Sequence, residues 1–175
     1  MKGAHEKIKA LFAEGSSRTA VATFIHIENK SHLTESAEHQ MGASNATITV
    51  SRKVQTIHPV VENIATNLAR IKPIRFIRIS PDFLQASSEV TKGRAKIPIT
   101  KPEHPTAIGL SLIIDLARQD IHFFEMNSPV KGYGGKMVDA VLNDLPEEWS
   151  AVVVMDWSDG FWDRMREKHR NLEIL

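Results

Sequence analysis

The sequence predicts a single α/β domain with a twisted mixed sheet and helices on both of its faces. Runs rich in β-branched residues alternate with segments of helical periodicity, which is the pattern of an α/β chain. No repeat, linker or low-complexity tract divides the 175 residues, and this length fits one domain with a substantial core. We therefore treat residues 1–175 as one domain.

The first 70 residues contain two helix signals and two strand signals. Apolar side chains at helical spacing predict a short helix over Glu6–Glu14. β-Branched residues predict strands over Thr19–Ile27 and Thr47–Ile57. The polar stretch Glu28–Asn45 predicts a long loop of the kind that often covers a substrate site. Apolar periodicity, with a proline in the tolerated first turn, predicts a helix over Pro59–Arg70.

The middle of the chain is dominated by strand signals. Ile74–Ile79 predicts a compact strand, and Pro81–Val90 predicts a short helix with its phenylalanine and leucine facing inward. The basic, proline-containing stretch Thr91–His104 predicts an irregular or edge segment. Thr106–Leu116 and Ile121–Met126 predict two antiparallel strands, although the first of them could also form a helix.

The last third of the chain alternates helices and strands. Met137–Leu145 predicts an amphipathic helix that ends before a proline. The continuous apolar run Ala151–Met155 predicts a strand buried on both faces. Asp159–His169 predicts a helix, with Ser158 or the first residue of that segment as the N-cap. Asn171–Leu175 predicts a terminal strand.

The composition is that of an ordinary globular domain, with 42% hydrophobic residues, 25% charged residues and a net charge of +1. No run approaches the roughly 20 apolar residues that a membrane span requires, and no apolar secretion segment follows the first residues. The absence of cysteine excludes disulfides, thiol nucleophiles and cysteine-ligated zinc. We expect a cytoplasmic protein without membrane contact.

The charge is unevenly distributed along the chain. Residues 1–100 carry 14 Lys and Arg against 8 Asp and Glu, whereas residues 101–175 carry 8 against 13. The basic excess could attract an acidic partner or the outer phosphates of a nucleotide cofactor, or it could form solvated faces. No aromatic residues interleave with these charges, so a nucleic acid is not the expected partner. The basic residues include Arg52, Lys53, Arg70, Lys72, Arg75, Arg78, Lys92, Arg94 and Lys96.

The segment Pro129–Lys136 (PVKGYGGK) is the most informative in the chain. It follows the predicted strand Ile121–Met126 and precedes a helix expected to begin near Met137. A glycine-rich turn before a helix presents several backbone N–H groups in one direction, and the helix dipole adds positive potential. The segment therefore predicts a seat for a phosphate or diphosphate group, with a ligand-free tight connection as the alternative.

Two other phosphate-binding motifs do not fit this segment. A P-loop requires Gly-x4-Gly-Lys-Ser/Thr, but Met137 follows Gly135-Lys136, and the first glycine position falls on Val130. The six-residue dinucleotide fingerprint also fails, because Met137 stands where its last glycine belongs.

The order of elements around this turn resembles the GNAT superfamily of acyl-CoA N-acyltransferases. In that family a strand leads through a Q/R-x-x-G-x-G/A loop into a helix, a buried strand and a second short helix. Gly132 and Gly134 match the glycine pair, and Ala151–Met155 and Gly160–His169 match the later strand and helix. The run Asp156–Trp162 (DWSDGFW) looks closest to phage and bacterial GNAT-like proteins.

The resemblance covers about residues 106–175, the expected cofactor-binding core, whereas residues 1–105 show no pattern that aligns with the family. It implies a largely antiparallel sheet, acetyl-CoA or another acyl-CoA as cofactor, and acyl transfer to a primary amine of a small molecule or protein. A homodimer is compatible with it. The cofactor-binding residues that it implies are Met126, Lys131, Gly132, Tyr133, Gly134, Gly135 and Lys136.

Two residues are candidates for catalysis. Glu125, near the end of the strand that enters the turn, is either the base that deprotonates the amine or an exposed strand carboxylate. Tyr133 is the only tyrosine in the chain and the candidate acid. The family's Gln/Arg position falls on Pro129, and Trp162 stands where many members carry a tyrosine. A non-catalytic GNAT-like binding module, possible for a phage or prophage accessory protein, is therefore the alternative.

The remaining candidates each have a structural interpretation that we prefer. Asp156 is expected to cap a helix or bond locally rather than bind substrate. His122 and His169 could carry protons near neutral pH, but a core-edge or surface position is commoner. No metal site is expected, because a loop with His32, Glu35, Glu38 and His39 lacks a ligand spacing. Core packing is the preferred interpretation of the aromatic residues Trp149, Trp157, Phe161 and Trp162.

Overall fold

A computed structural model of the protein describes residues 46–90, 105–156 and 158–175, together with the backbone of residues 24–26. The predictions made for Glu6–Glu14, Glu28–Asn45 and Thr91–His104 lie outside these residues. No helix in the described ranges is long and apolar enough to cross a membrane.

The described residues form one mixed sheet and three helices. The strands are β1 (Phe24–His26), β2 (Thr47–Val50), β3 (Phe76–Ser80), β4 (Phe83–Ser87), β5 (Gly109–Asp115), β6 (Asp120–Asn127), β7 (Ser150–Val153) and β8 (Leu172–Ile174). The helices are α1 (Pro59–Ala69), α2 (Tyr133–Leu142) and α3 (Phe161–Lys168). The predicted α/β class is confirmed.

The eight strands lie in the sheet in the order in which they occur in the chain. The central strands β3 to β6 form an antiparallel meander. Parallel pairs flank it on both sides, β1 with β2 and β2 with β3 on one side, β6 with β7 and β7 with β8 on the other. The sheet is mixed as predicted, but three of its seven pairings are antiparallel, so it is not largely antiparallel.

One face of the sheet, here called the helix face, carries the core. Its cross-strand rows are almost entirely apolar; one runs Ile48, Ile77, Ala86, Leu110, Met126, and the next runs Val50, Ile79, Leu84, Leu112, Phe123, Val153. These side chains and the buried sides of all three helices belong to a single hydrophobic cluster. Within the described ranges, the helices therefore cover one face and not the two that we predicted.

The opposite face of the sheet is more polar. A cross-strand row on this face consists of Thr49, Arg78, Gln85, Ser111 and Glu125. Ser111 is buried and the other four are half-buried. Side chains alternate between the two faces along each strand, as the two-residue repeat of a strand requires, except at one irregularity in β6.

Helix α1 confirms the prediction made for Pro59–Arg70. Proline stands at its first position, His58 Nδ1 accepts a hydrogen bond from Val60 N at 3.3 Å, and Val60, Ile64 and Leu68 are buried at helical spacing. Strands β3, β5, β6 and β8 also lie within or beside their predicted ranges.

Three other predictions need correction. Pro81–Val90 contains strand β4 and no helix, because Pro81 and Asp82 form a two-residue turn after which buried and half-buried side chains alternate. Helix α2 begins at Tyr133 and not near Met137, so two glycines lie in its first turn. Strand β7 is buried on one face only, because Val152 is half-buried and the residues after Val153 are exposed.

Candidate functional site

The glycine turn (Gly132–Lys136) forms the N-terminus of α2, where the chain leaves β6. Gly132 is the N-cap residue with φ of 92°, a left-handed conformation that favours glycine, and no side chain caps the helix. Only weak backbone contacts close the turn: Tyr133 N to Val130 O at 3.5 Å and Lys136 N to Gly132 O at 3.4 Å. The leading N–H groups of a helix have no intrahelical acceptor, so those of Gly134 and Gly135, which neither contact uses, could bind a ligand.

The space around the turn differs from glycine to glycine. A Cβ atom built on Gly132 or on Gly135 would have nothing within 4 Å. A Cβ atom on Gly134 would lie 3.3 Å from the ring of Phe161 and 3.8 Å from Met126 Cε. Gly134 therefore lets α2 approach α3 and β6 closely, whereas the flanking glycines leave the helix N-terminus open to solvent.

The charges at this turn are positive. Lys131 and Lys136 are exposed, and the first turn of α2 contains no acidic residue. Lys136 Nζ lies 4.9 Å from the centre of the Tyr133 ring, a cation–π distance. The lysines and the positive end of the helix dipole act in the same direction, which favours an anion.

Strands β6 and β7 stop pairing at the end of the sheet that is next to this turn. Their parallel pairing begins at Asp120 and Ser150 and ends at Phe123 and Val153, whereas β6 continues to Asn127. The opening (the edge of β6 beyond Phe123) therefore leads towards the glycine turn. An extended ligand could lie along this edge of β6, as an added strand does along a sheet edge.

A β-bulge marks the same point on β6. Leu112 pairs with Phe123 and Ser111 pairs with Glu125, so Phe124 is the extra residue. The bulge shifts the alternation by one residue, as bulges do. As a result Met126 lies on the helix face beside Gly134, and Glu125 lies on the opposite face with Ser111.

Exposed apolar side chains lie in the segments that follow the paired parts of β6 and β7. Phe124 is 48% exposed and Val130 is 50% exposed, and Val154 and Met155, which follow β7 directly, are 41% and 55% exposed. Phe124 and Val154 are the first residues after the last β6–β7 pair, and the ring of Phe124 lies 6.3 Å from that of Phe83 on β4. This rim suits an apolar portion of a ligand.

Tyr133 lies on the side of α2 that faces α1. With Lys136 it lines an open groove of about 560 Å³ between the C-terminal end of α1 and α2. Gly134 next to it faces Phe161 of α3. The phenol ring of Tyr133 and the opening beside β6 are therefore reached from different sides of α2.

The aromatic residues of α3 are packing residues, as preferred. Trp162 is 5% exposed, and its ring lies 5.0 Å from that of Phe123 and 5.1 Å from that of Phe161. Trp149 is also buried and packs against His58 at 5.4 Å. Trp157 lies outside the described residues.

Asp156 bonds locally, as expected. Its Oδ1 accepts hydrogen bonds from the backbone N and the Oγ of Ser158, at 2.7 and 2.6 Å. The Ser158 hydroxyl in turn accepts from Phe161 N at 3.2 Å, although the N-cap residue of α3 by backbone geometry is Gly160. These bonds shape the turn into α3.

His169 ties α3 to α2. Its Nε2 lies 2.9 Å from Asp139 Oδ1, and Lys168 Nζ lies 2.7 Å from the same carboxylate. Burial alone would raise the pKa of Asp139, but hydrogen bonds from Lys168 and His169 outweigh it and hold that pKa below its ordinary value. His169 was named as a candidate from the sequence, but its pairing with Asp139 was not predicted, because helix packing brings the two residues together.

The other two histidine predictions have different outcomes. His122 is half-buried on β6, on the face away from the helices, where it pairs in register with Ile113. The loop containing His32, Glu35, Glu38 and His39 lies outside the described residues. Among the residues that the structure describes, no group of three or more His, Asp or Glu side chains could hold a metal ion.

Comparisons with protein-family models, curated proteins and solved structures found no match to this chain.

Proposed function

We propose that this protein binds an acyl-CoA at the glycine turn and transfers its acyl group to a primary amine. The observation that carries the proposal is the N-terminus of α2. No side chain caps it, Lys131 and Lys136 flank it, and the space beside Gly132 and Gly135 is open. A diphosphate matches this seat in charge and in its demand for several N–H donors.

The opening beside β6 supports the choice of acyl-CoA over a simple phosphate ester. A pantetheine arm is an extended chain with amide groups, and it could pair with the edge of β6 beyond Phe123. The apolar rim at Phe124 and Val154 would then lie beside the thioester end. A ligand that uses both the glycine turn and this opening needs them to be close together. The turn begins a few residues after β6 ends.

The reaction needs few protein groups. The amine nitrogen attacks the thioester carbonyl, a C–N bond forms, and the C–S bond breaks as the tetrahedral intermediate collapses. The amine loses a proton to a base, for which Glu125 is our candidate, and the departing thiolate takes up a proton. Tyr133 is the candidate acid, although its ring lies on the α1 side of α2.

A non-catalytic binding module is the second candidate. The observation that favours it is the burial of Trp162, which packs in the core and offers no hydroxyl group on α3. Such a module would bind acyl-CoA at the same seat without turning it over.

A charge substitution in the turn tests the seat itself. Gly135→Asp places a carboxylate in the first turn of α2, where it should stabilise the helix through the dipole and repel a diphosphate. Gly135→Asn is the matched neutral control. Acetyl-CoA should raise the melting temperature of the wild type and of the Asn variant, and the Asp variant should lose this response.

Turnover separates the two candidate functions. Release of CoA in the presence of a primary amine, reduced at least tenfold in Glu125→Gln and unchanged in Glu148→Gln, would support the transferase. Stabilisation by acetyl-CoA without release would support the binding module. A wild type whose melting temperature does not respond to acetyl-CoA would contradict both.

A further inference from the structure

The groove between α1 and α2 adjoins the glycine turn. One face of α2, with Tyr133, Lys136 and Ala140 at intervals of three and four residues, forms one wall. The turn after α1, with Arg70 and Lys72, forms the other wall. Because Tyr133 and Lys136 belong to both, the groove and the turn form one continuous surface.

Of the two carboxylates in this groove, Asp139 is paired with a cation, whereas Asp144 accepts a hydrogen bond from a neutral amide and keeps its charge. Asp139 bonds to Lys168 and His169, and Asp144 accepts a hydrogen bond from Asn67 Nδ2 at 2.8 Å. By contrast Arg70, Lys72 and Lys136 are exposed and, within the described residues, form no ion pair. Three unpaired cations in the groove therefore stand against one unpaired carboxylate, that of Asp144, and the balance is positive.

Arg70 is also oriented. Its NH1 donates to Asn67 Oδ1 at 3.0 Å, and Asn67 is itself held by Asp144. An arginine fixed at one edge loses less conformational entropy when its remaining donors bind a ligand. Arg70 and Lys72, separated by one residue at the end of α1, lie on the same wall of the groove.

We propose that this groove binds a phosphate monoester carried by the ligand whose diphosphate lies on the glycine turn. The inference rests on the proposed function, and for acyl-CoA the monoester is the 3′-phosphate of the ribose. Arg70 and Lys72 supply the donors, with Lys136 between the two phosphate sites. The groove thereby distinguishes CoA from ligands that carry the diphosphate alone.

Calorimetric titration with CoA and with 3′-dephospho-CoA tests this assignment. The wild type should bind CoA about tenfold more tightly than the dephospho compound. This factor is what we expect from charge-assisted hydrogen bonds between Arg70, Lys72 and a phosphate at a partly exposed site. In Arg70→Gln/Lys72→Gln the preference should fall to about twofold, mainly through weaker binding of CoA.

The control must remove the same charge elsewhere, since CoA is the more anionic of the two compounds. Lys53→Gln/Arg118→Gln does this at exposed positions outside the groove and should retain the tenfold preference. If the double variant folds poorly, Lys72→Gln alone is a milder test. Its preference for CoA should be lower than that of the wild type by a factor of about three.

The outcomes separate this inference from the proposed function. Equal affinity of the wild type for the two compounds, or an unchanged preference in the groove variants, would overturn the groove assignment and leave the turn intact. A preference lost equally in the control variant would show a long-range charge effect and also overturn it. Binding of neither compound would overturn both proposals.

Discussion

Alanine substitutions at Gly132 and Gly135 should have opposite effects on stability, although the two residues lie three positions apart. Gly132 has φ of 92°, and Gly135 is in the first turn of α2. A Cβ atom would meet nothing within 4 Å at either position. Any difference between the two variants must therefore come from backbone conformation and not from steric contacts.

The expected magnitudes follow from this conformational difference. Gly132→Ala should lower the free energy of unfolding by about 1–2 kcal/mol, the cost of a left-handed conformation for a residue with a Cβ atom. Gly135→Ala should raise it by about 0.5 kcal/mol, since alanine is the better helix former and the helix end reduces the full effect. The melting temperatures should then differ by about 5 °C in a chain of this size.

Urea unfolding of the two variants and the wild type, followed by circular dichroism, measures these effects. The slopes with denaturant should agree, so that differences in midpoint report stability alone. Gly134→Ala is a useful third variant, because its methyl group would lie 3.3 Å from Phe161 and require that ring to shift. If Gly132→Ala were as stable as the wild type, the left-handed cap and the open seat inferred from it would be refuted.

Three further substitutions test electrostatics and backbone strain. Asp139→Asn should destabilise the protein at neutral pH. The difference in stability from the wild type should shrink as the pH falls through the lowered pKa of Asp139, because a carboxyl with a depressed pKa stabilises the fold only while it is ionised. Burial raises the pKa of Glu62, so Glu62→Gln should instead stabilise the protein at neutral pH and lose this advantage in acid. Urea midpoints measured between about pH 3 and pH 7 test the direction of both effects. Gln119→Gly should raise the melting temperature by about 2 °C, since Gln119 has φ of 60°; no rise on thermal denaturation would contradict this.

The sequence predicted best those elements whose signals are local. Pro59 and the apolar spacing after it identify α1 without reference to the rest of the chain. The β5–β6 hairpin was predicted for the same reason. The prediction failed for β4 because Pro81 is acceptable both at a helix start and in a tight turn, and only the pairing with β3 decides between them.

The site was predicted in part. The glycine turn was identified, but a glycine pair is a weak helix former, so the start of α2 was placed one turn too late. The groove was not predicted, although Arg70 and Lys72 were noted as basic residues. Its two walls come from helices distant in the chain, and their approach depends on packing that no local pattern encodes.

The order of the strands has a consequence for how this protein folds. Each described strand pairs only with its neighbours in the chain, so no pairing closes a loop that spans another described strand, which limits the cost in chain entropy. The antiparallel meander β3 to β6 can form first and then extend outwards by one parallel strand at a time. We therefore expect faster folding than for a sheet of similar size whose strands are interleaved.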